Sequence, residues 1–187
     1  DELETLADVV RKLIERSRDL LRRHEKRNDE IKKRLDELDR ELKERAEEIK
    51  KRLEELLRRR DEDEIREVIR ELEERLEKLL EDSRRVSKEV AERLDRTVKD
   101  VRKTIEESEK LLRELLEEVE RKKDDERAED VVRDVLRKAE KVVEEDERLI
   151  RRVTEESDRV LDRVEKETKK IVDEAKRMLR EVEERIR

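Results

Sequence analysis

The segment LLRRRDEDEIREV, residues 56–68, decides how this chain folds, because a regular apolar pattern stops and restarts there. A basic triplet, Arg58 to Arg60, is followed at once by an acidic cluster, Asp61 to Glu64. Cations stabilise the C-terminal end of a helix and anions its N-terminal end, because of the helix macrodipole. Asp61 can also cap the following helix, with Glu64 three residues later as in a capping box. The segment therefore predicts a turn between two helices.

The phase of the apolar residues favours this turn over one continuous helix that crosses a charged patch. Up to Leu56, apolar residues recur every three or four positions, and continuing that stripe would place Arg60 and Glu64 inside the protein. A second stripe begins at Ile65 and is out of phase with the first. The sequence thus contains a break here without using glycine or proline.

A second break has the same form. In EVERKKDDERAEDVV, residues 118–132, the basic residues Arg121 to Lys123 precede the acidic residues Asp124 to Glu126. The stripe slips between Val119 and Ala128. The two breaks predict three helices, each about 90 Å long at ~1.5 Å per residue, at about residues 2–59, 63–121 and 126–187.

The second and third stripes map onto themselves after five turns of a straight helix, about 18 residues at ~3.6 residues per turn. We call this spacing the five-turn repeat.

Short connections make neighbouring helices antiparallel. We therefore expect an all-α, up-down-up three-helix bundle of long, nearly straight antiparallel helices, forming a single domain over residues 1–187.

The turns also predict which positions of the helices lie side by side. Counting outward from the first turn, a residue of the first helix lies beside the residue of the second helix for which the two residue numbers add up to 121. Across the second turn, the numbers of paired residues add up to 247. Only the turns fix this register, and a slip of one step would also fit.

The composition agrees with helices and argues against several classes of function. Charged residues make up 63% of the 187 positions, aromatic residues make up 0%, and Gly, Pro, Cys and Gln are absent. Acidic residues number 62 and basic residues 55, so the net charge of −7 argues against a nucleic-acid partner. No apolar run is longer than two positions, so we expect no membrane span and no signal peptide.

Polar residues occupy several stripe positions that aliphatic residues fill elsewhere, and we expect them to form a structural hydrogen-bond network. In the predicted register they gather in three groups. In the first, His24 faces Thr97 and Asn28 lies level with Thr154, one turn from Ser157; the second is Ser17, Thr104, Ser108 and Asp146; the third is Ser83, Ser87 and Thr168. Buried polar groups are costly unless they are hydrogen-bonded, so residues that lie together can fix register and partner choice.

His24 is the only histidine, and three interpretations of it compete: a buried or boundary hydrogen-bond role, an exposed edge position, and metal binding or catalysis. A zinc site needs three or four ligands, more than one His and no Cys supply, and a di-metal site needs inward-facing Glu residues. Ser17 lies two turns away, too far for a nucleophile–base pair. We therefore expect no catalytic or metal-binding residue, no cofactor and no small-molecule substrate. Asp146 either hydrogen-bonds to Thr104 or reaches solvent.

Together these features resemble computationally designed parametric helical bundles with buried hydrogen-bond networks. The resemblance covers the whole chain and rests on the missing residue types, the charged surfaces, the polar layers and the charge-swapped helix ends RRRDEDE (58–64) and RKKDDER (121–127). Many members of that family connect helices through Gly- or Ser-rich loops, which this chain lacks. The resemblance implies a thermostable scaffold or assembly component without enzymatic activity or native localisation, soluble in the cytosol when produced recombinantly.

Two functions fit the sequence. Narrow stripes are satisfied by two neighbouring helices and favour a self-contained monomer that requires no partner. A second apolar flank, mostly in the half that contains the N-terminus, favours an assembly module that pairs with a further helix or self-associates. That flank comprises Ile14, Leu21, Val98, Ile105, Leu111, Leu116, Leu136, Val143, Leu161, Val172 and Leu179.

Overall fold

The computed structural model describes residues 2–60, 62–122 and 128–186. Three α-helices contain nearly all of them: α1 spans Glu2–Arg59, α2 spans Asp63–Arg121 and α3 spans Ala128–Ile186. The described residues contain no strand. The predicted all-α bundle of three helices packed against one another is confirmed.

The helices begin and end where the apolar phase changes. Arg58 and Arg59 occupy the last turn of α1, and Asp63 and Glu64 the first turn of α2, as the helix macrodipole favours. The carbonyl of Glu62 accepts the first backbone hydrogen bonds of α2. The predicted cap at Asp61, the acidic residues 124–126 and the predicted helical positions 126, 127 and 187 lie outside the described residues.

The chain divides into two compact units, each built from a section of all three helices. Unit 1 consists of Asp1–Asp29 and Leu94–Ser157, and unit 2 consists of Glu30–Arg93 and Asp158–Arg187. The single domain expected over residues 1–187 stays a prediction.

Unit 2 has an aliphatic core to which every helix contributes. Fully burying a side chain the size of Val, Leu or Ile stabilises a fold by about 1.5–3 kcal/mol. The buried members of this core are Ala46, Ile49, Leu53 and Leu56 of α1, Ile69, Leu72 and Leu76 of α2, and Ala175, Met178 and Val182 of α3.

The described part of unit 1 contains aliphatic clusters and a set of buried polar residues. The first cluster includes Leu6, Val10, Ile14, Leu112, Val119, Val135, Ala139 and Val143. The second includes Val101, Ile105, Ile150 and Val153. Along α1, the buried polar residue Ser17 lies between Ile14 of the first cluster and Leu20, which packs against the second.

The register between the helices differs from the predicted one by about one turn. The predicted sums imply that α1 and α3 residues at one level are 126 positions apart, the difference between 247 and 121. The observed contacts join Ser17 to Asp146 and His24 to Thr154, which are 129 and 130 positions apart. The predicted register was therefore wrong. The physical reason is that an apolar stripe with contacts every three or four positions meets another apolar residue after a slip of one turn.

The buried face of α2 also differs from the predicted stripe. Thr104 is exposed and its neighbour Ile105 is buried, while Val86 is 43% exposed. Ile14 and Val143 of the predicted flank are buried as well, so part of that flank belongs to the core. In a three-helix bundle each helix faces two neighbours, which requires an apolar face wider than one narrow stripe.

Candidate functional site

The most complete buried polar group in unit 1 joins all three helices, and we call it the serine–aspartate layer. It consists of Ser17 of α1, Ser108 of α2 and Asp146 of α3, all of them buried. The Ser17 hydroxyl donates a hydrogen bond to Oδ2 of Asp146 at 3.2 Å. The Ser108 hydroxyl donates to Oδ1 of the same carboxylate at 2.7 Å. Each carboxylate oxygen therefore has its own donor from a different helix.

The electrostatics of this layer reflect its burial. Burial raises the pKa of the Asp146 carboxyl above its ordinary value. Hydrogen bonds from Ser108 and Ser17 oppose that rise because they stabilise the charged form, and the nearby Glu145 charge adds to it. The layer thus holds a carboxylate whose charge is unfavourable in this environment and is stabilised by two hydroxyl groups.

The geometry of this layer suits a structural role better than a nucleophilic one. A serine nucleophile needs a positioned base and access for a substrate. Ser17 is 0% exposed, and its hydroxyl already donates its hydrogen bond to Asp146. The hydrogen bonds of this layer can hold the three helices in one alignment.

A second buried group, the histidine layer, consists of His24 and Asn28 of α1 and Thr154 of α3. His24 is only 2% exposed. Its Nδ1 lies 3.4 Å from the Thr154 hydroxyl oxygen, and its Nε2 lies 3.3 Å from Nδ2 of Asn28. Because the Asn28 amide nitrogen can only donate, Nε2 of neutral His24 accepts that bond and the ring proton lies on Nδ1.

Protonation of His24 is unfavourable in this layer. Burial lowers the pKa of the His24 imidazole, and the nearby Glu25 carboxylate opposes that shift. A proton on Nε2 would also face the Asn28 amide donor. On the opposite side of that amide, the buried Oδ1 of Asn28 has no hydrogen-bond partner among the described residues. The histidine layer is therefore less completely satisfied than the serine–aspartate layer.

The structure brings together some of the predicted network residues and separates others. Ser17 was expected to pair with Thr104, but Thr104 is exposed and donates to the Asp100 carbonyl in its own helix at 3.0 Å. Asp146 takes the place of Thr104, so the predicted pairing was wrong and Asp146 does not reach solvent. The cause is the register slip, combined with the rotation of α2 that buries Ile105.

The remaining predicted residues divide in the same way. Thr154 bonds to His24 rather than lying level with Asn28, and Ser157 is buried one turn further along α3. Thr97, predicted to face His24, is half-buried.

The third predicted group is not joined by hydrogen bonds. Thr168 donates to the Val164 carbonyl of its own helix at 2.8 Å. Ser83 and Ser87 are half-buried, and no hydrogen bond among the described residues links them to Thr168. The grouping of these three residues stays a prediction, and the Thr168 hydroxyl is satisfied within its own helix.

Each residue of the serine–aspartate layer has an aliphatic counterpart in unit 2. A shift of two five-turn repeats leads from Ser17 forward to Leu53, from Ser108 back to Leu72 and from Asp146 forward to Val182. All three lie in the aliphatic core of unit 2. One five-turn repeat relates His24 to Leu42, which is buried. Polar residues thus stand where the repeat otherwise places aliphatic ones.

Ion pairs between α1 and α3 follow the same spacing, and they were not anticipated from the sequence. Each pair begins one five-turn repeat after the preceding one, and the pairs are Arg16–Glu147, Arg34–Glu165 and Arg52–Glu183. Exposed ion pairs of this kind contribute roughly 0–1 kcal/mol each, so they mark the register more than they stabilise it. Extending the five-turn repeat from the apolar residues to the charged ones would have found them.

Two open grooves lie on unit 1. The α2–α3 groove has a volume of 830 Å³ and is lined by Leu111, Glu114, Leu115, Glu118, Arg121, Lys122, Lys138, Lys141, Val142 and Glu145. A groove of 760 Å³ between α1 and α3 is lined by Thr5, Leu6, Val9, Glu129, Val132, Arg133 and Leu136. Leu111 of the predicted flank is 51% exposed.

Neither a metal centre nor a relative identifies a chemical activity. Within residues 2–60, 62–122 and 128–186, no three His, Cys, Asp or Glu side chains are placed to hold a metal ion. None of the described helices has an apolar stretch that could cross a membrane. Comparisons with protein-family models, curated proteins and solved structures found no match.

Proposed function

We propose that this protein is a structural scaffold, a self-contained three-helix bundle whose buried polar layers fix the alignment of its helices. The observation that carries the proposal is the Asp146 carboxylate of α3, which accepts one hydrogen bond from α1 and one from α2. Sliding any helix by one turn, about 5.4 Å, separates a donor from this carboxylate. An aliphatic layer has no such preference, because the same slip replaces one apolar contact by another.

The energetic cost of the polar layer supports this role. Replacing a buried charged group and its partners by well-packed aliphatic residues is often neutral or stabilising. The five-turn repeat supplies such a replacement in unit 2, at Leu53, Leu72 and Val182. Polar residues at equivalent positions of unit 1 are therefore best explained by specificity of alignment, the role that buried polar residues have in coiled coils.

The test transfers the aliphatic layer of unit 2 into unit 1, in a Ser17→Leu, Ser108→Leu, Asp146→Val triple variant. Because the chain has no cysteine, spin labels can be attached to Asp19→Cys and Arg148→Cys, two positions on α1 and α3 that lie outside the core. Pulsed electron paramagnetic resonance should give one narrow distance between the labels in the protein that keeps its polar layer. In the triple variant it should give a broader distribution or a second distance.

A matched control for this experiment is Thr104→Val in the same unit, since that hydroxyl bonds only within α2. The control should keep the single narrow distance. An equally narrow distance in the triple variant would show that the polar layer does not set the alignment, and the proposal would fall.

Design origin is part of this proposal. It is supported by the regular recurrence of the ion pairs between α1 and α3 and by the absence of Gly, Pro, Cys and aromatic residues. Idealised bundles unfold above ~90 °C, so we expect helical circular dichroism to persist to that temperature, and soluble recombinant production in the cytosol. Cooperative melting below ~60 °C, an ordinary value for natural domains, would contradict design origin.

The exposed Leu111 in the α2–α3 groove favours a second function, in which the bundle binds a further helix or self-associates. Light scattering over a range of concentrations separates the self-associating form from the monomer. A constant mass of 23.1 kDa supports the monomeric scaffold, and a multiple of that mass supports self-association.

A further inference from the structure

We propose that the α2–α3 groove of unit 1 binds one amphipathic α-helix of about three turns, with basic residues along one flank and acidic residues along the other. The inference rests on the binding role given above as the second function, and it specifies the chemistry of the partner. It does not require the polar layers.

The floor of the groove is apolar and open to solvent. Leu111 is 51% exposed, and Leu115 and Val142 beside it are half-buried. Leu111 and Leu115 are one turn apart on α2, so together they offer an apolar strip of the kind into which a helix inserts side chains at i, i+3, i+4 and i+7. Only one other large hydrophobic residue within the described part of the chain is similarly exposed, Val86 in unit 2.

The two walls of the groove carry opposite charge at its centre. There the α2 wall presents Glu114 and Glu118, and the α3 wall presents Lys138 and Lys141. Residues of the reverse sign lie towards the two ends of the groove, Arg121 and Lys122 at one end and Glu145 at the other. The hydrogen bond and charge of Asp134 raise the pKa of Lys138, and the Glu118 charge across the groove adds a smaller rise.

Two of these wall charges are available to a partner. Glu118 already forms an ion pair with Lys122, the residue after α2, and Lys138 forms one with Asp134 of α3. Glu114 and Lys141 take part in no ion pair among the described residues. A helix lying in the groove would therefore meet Glu114 with a basic flank and Lys141 with an acidic flank, and each contact would gain a charge pair.

The dimensions and charges favour a separate helix over other occupants. Residues 111 to 121 at the end of α2 cover about 15 Å at ~1.5 Å per residue, or about three helical turns. A stable dimer buries about 1,200–2,000 Å² in total, more than one groove of this length offers. Glu114, Glu118 and Glu145 in the lining would repel the phosphates of a nucleic acid, which disfavours that occupant.

The probe for this proposal is a fluorescein-labelled synthetic peptide of about 14 residues, two heptads, which covers the three turns of the groove with a short overhang, with Leu at a and d, Lys at g and Glu at e. Fluorescence anisotropy of the peptide titrated with the full chain gives its dissociation constant. Leu111→Glu should weaken binding at least ~10-fold, because it removes an apolar contact and adds a charge. Val86→Glu is the matched control and should leave the dissociation constant unchanged, with helical circular dichroism intact in both variants.

The wall charges are tested with Glu114→Lys, Lys141→Glu and the double variant. Each single change should weaken binding by ~2- to 5-fold, since one attractive contact becomes repulsive at an exposed site. In the double variant the two walls again carry opposite charges, but their signs are exchanged. The same peptide should therefore bind with its original affinity and with its N- and C-terminal ends exchanged. A spin or fluorescence label at one end of the peptide would report that reversal.

The outcomes separate the parts of the proposal. If Leu111→Glu abolishes binding but the charge variants have no effect, the groove binds a helix and the stated partner chemistry is wrong. If the peptide does not bind at protein concentrations up to about 1 mM, where even weak contacts are measurable, the binding function falls with the inference while the scaffold proposal stands. If the chain instead dimerises and Leu111→Glu makes it monomeric, the occupant is a second copy and the proposed separate helix is wrong.

Discussion

The serine–aspartate layer of unit 1 and the layer of Leu53, Leu72 and Val182 in unit 2 stand at equivalent positions of the five-turn repeat. Both are buried and both contain one residue from each helix. The aliphatic layer gains stability from the burial of side chains. The polar layer gains little by that route, because the desolvation of a carboxylate offsets its hydrogen bonds.

Under the scaffold proposal, this difference separates stability from specificity within one backbone arrangement. We expect the aliphatic layers to contribute most of the free energy of unfolding and to be nearly indifferent to a slip of one turn. We expect the serine–aspartate layer to contribute less free energy and to be satisfied in only one alignment. The variants below test that division, beginning with the largest expected effect.

Removing an aliphatic side chain should destabilise the protein most. We expect Leu53→Ala to lower the free energy of unfolding by about 2–5 kcal/mol, because Leu53 is fully buried and its removal leaves a cavity. Guanidinium denaturation followed by circular dichroism measures the change. The neighbouring exposed residue gives a control, Glu54→Ala, which should stay within about 0.5 kcal/mol of the parent. Equal effects in the two variants would mean that the unit 2 core is not the source of stability.

Removing both donors of the polar layer should have a smaller effect. The double variant Ser17→Ala, Ser108→Ala leaves the buried Asp146 carboxylate without hydrogen bonds, which should cost about 1.5–3 kcal/mol at neutral pH. The loss should shrink in acid, where Asp146 becomes protonated. Because its folded pKa is raised, this group favours the folded state increasingly as pH falls towards its unfolded value of about 3.9. A loss that grows as pH falls would contradict this account.

The histidine layer should show the opposite dependence on pH. The pKa of His24 is lowered in the folded state, so its contribution is complete above the unfolded value of about 6.5 and is lost as pH falls below it. His24→Leu should keep the fold and lie within about 1.5 kcal/mol of the parent at pH 8.

At pH 5 the His24→Leu variant should be the more stable of the two. Denaturation at both pH values measures this, and an NMR titration of the single imidazole gives its pKa directly. A parent protein that gains stability relative to His24→Leu on acidification would overturn the assignment of a buried neutral ring.

The smallest effect is expected at Thr104. Thr104→Val should change the free energy of unfolding by less than about 0.5 kcal/mol, because the side chain is exposed and its hydroxyl bonds within α2. Comparison with Ser108→Ala on the same helix, measured by the same denaturation experiment, separates a polar residue inside the network from one outside it. If Thr104→Val lowered the free energy of unfolding as much as Ser108→Ala, Thr104 would have to be counted as a member of the hydrogen-bond network.

The fold could be predicted from sequence because charge and apolar phase change together at the turns. Arg58 to Arg60 and the restart at Ile65 mark one end of a helix and the start of the next. The register could not be predicted, because apolar contacts every three or four positions look alike after a slip of one turn. Only side chains that discriminate between neighbours, such as Asp146, contain that information.

The polar network could be predicted in part. Rare polar residues at stripe positions correctly indicated that Ser17, Ser108 and Asp146 lie together, and that His24 and Asn28 are buried. Their partners could not be assigned, because the rotation of α2 that exposes Thr104 depends on packing against both other helices. The same packing buries Ile105 of the predicted apolar flank.

The regular recurrence of the ion pairs between α1 and α3 has a consequence for the length of the chain. In unit 2, the segments 35–52, 73–90 and 164–181 are one five-turn repeat each of α1, α2 and α3. Cutting out all three joins Arg34 to Leu53, Leu72 to Ala91 and Arg163 to Val182, and preserves the phase of every helix. Each helix becomes five turns shorter, about 27 Å, while the turns and the serine–aspartate and histidine layers keep their sequence. Helix length is thus an adjustable dimension of this molecule, available in steps of one repeat.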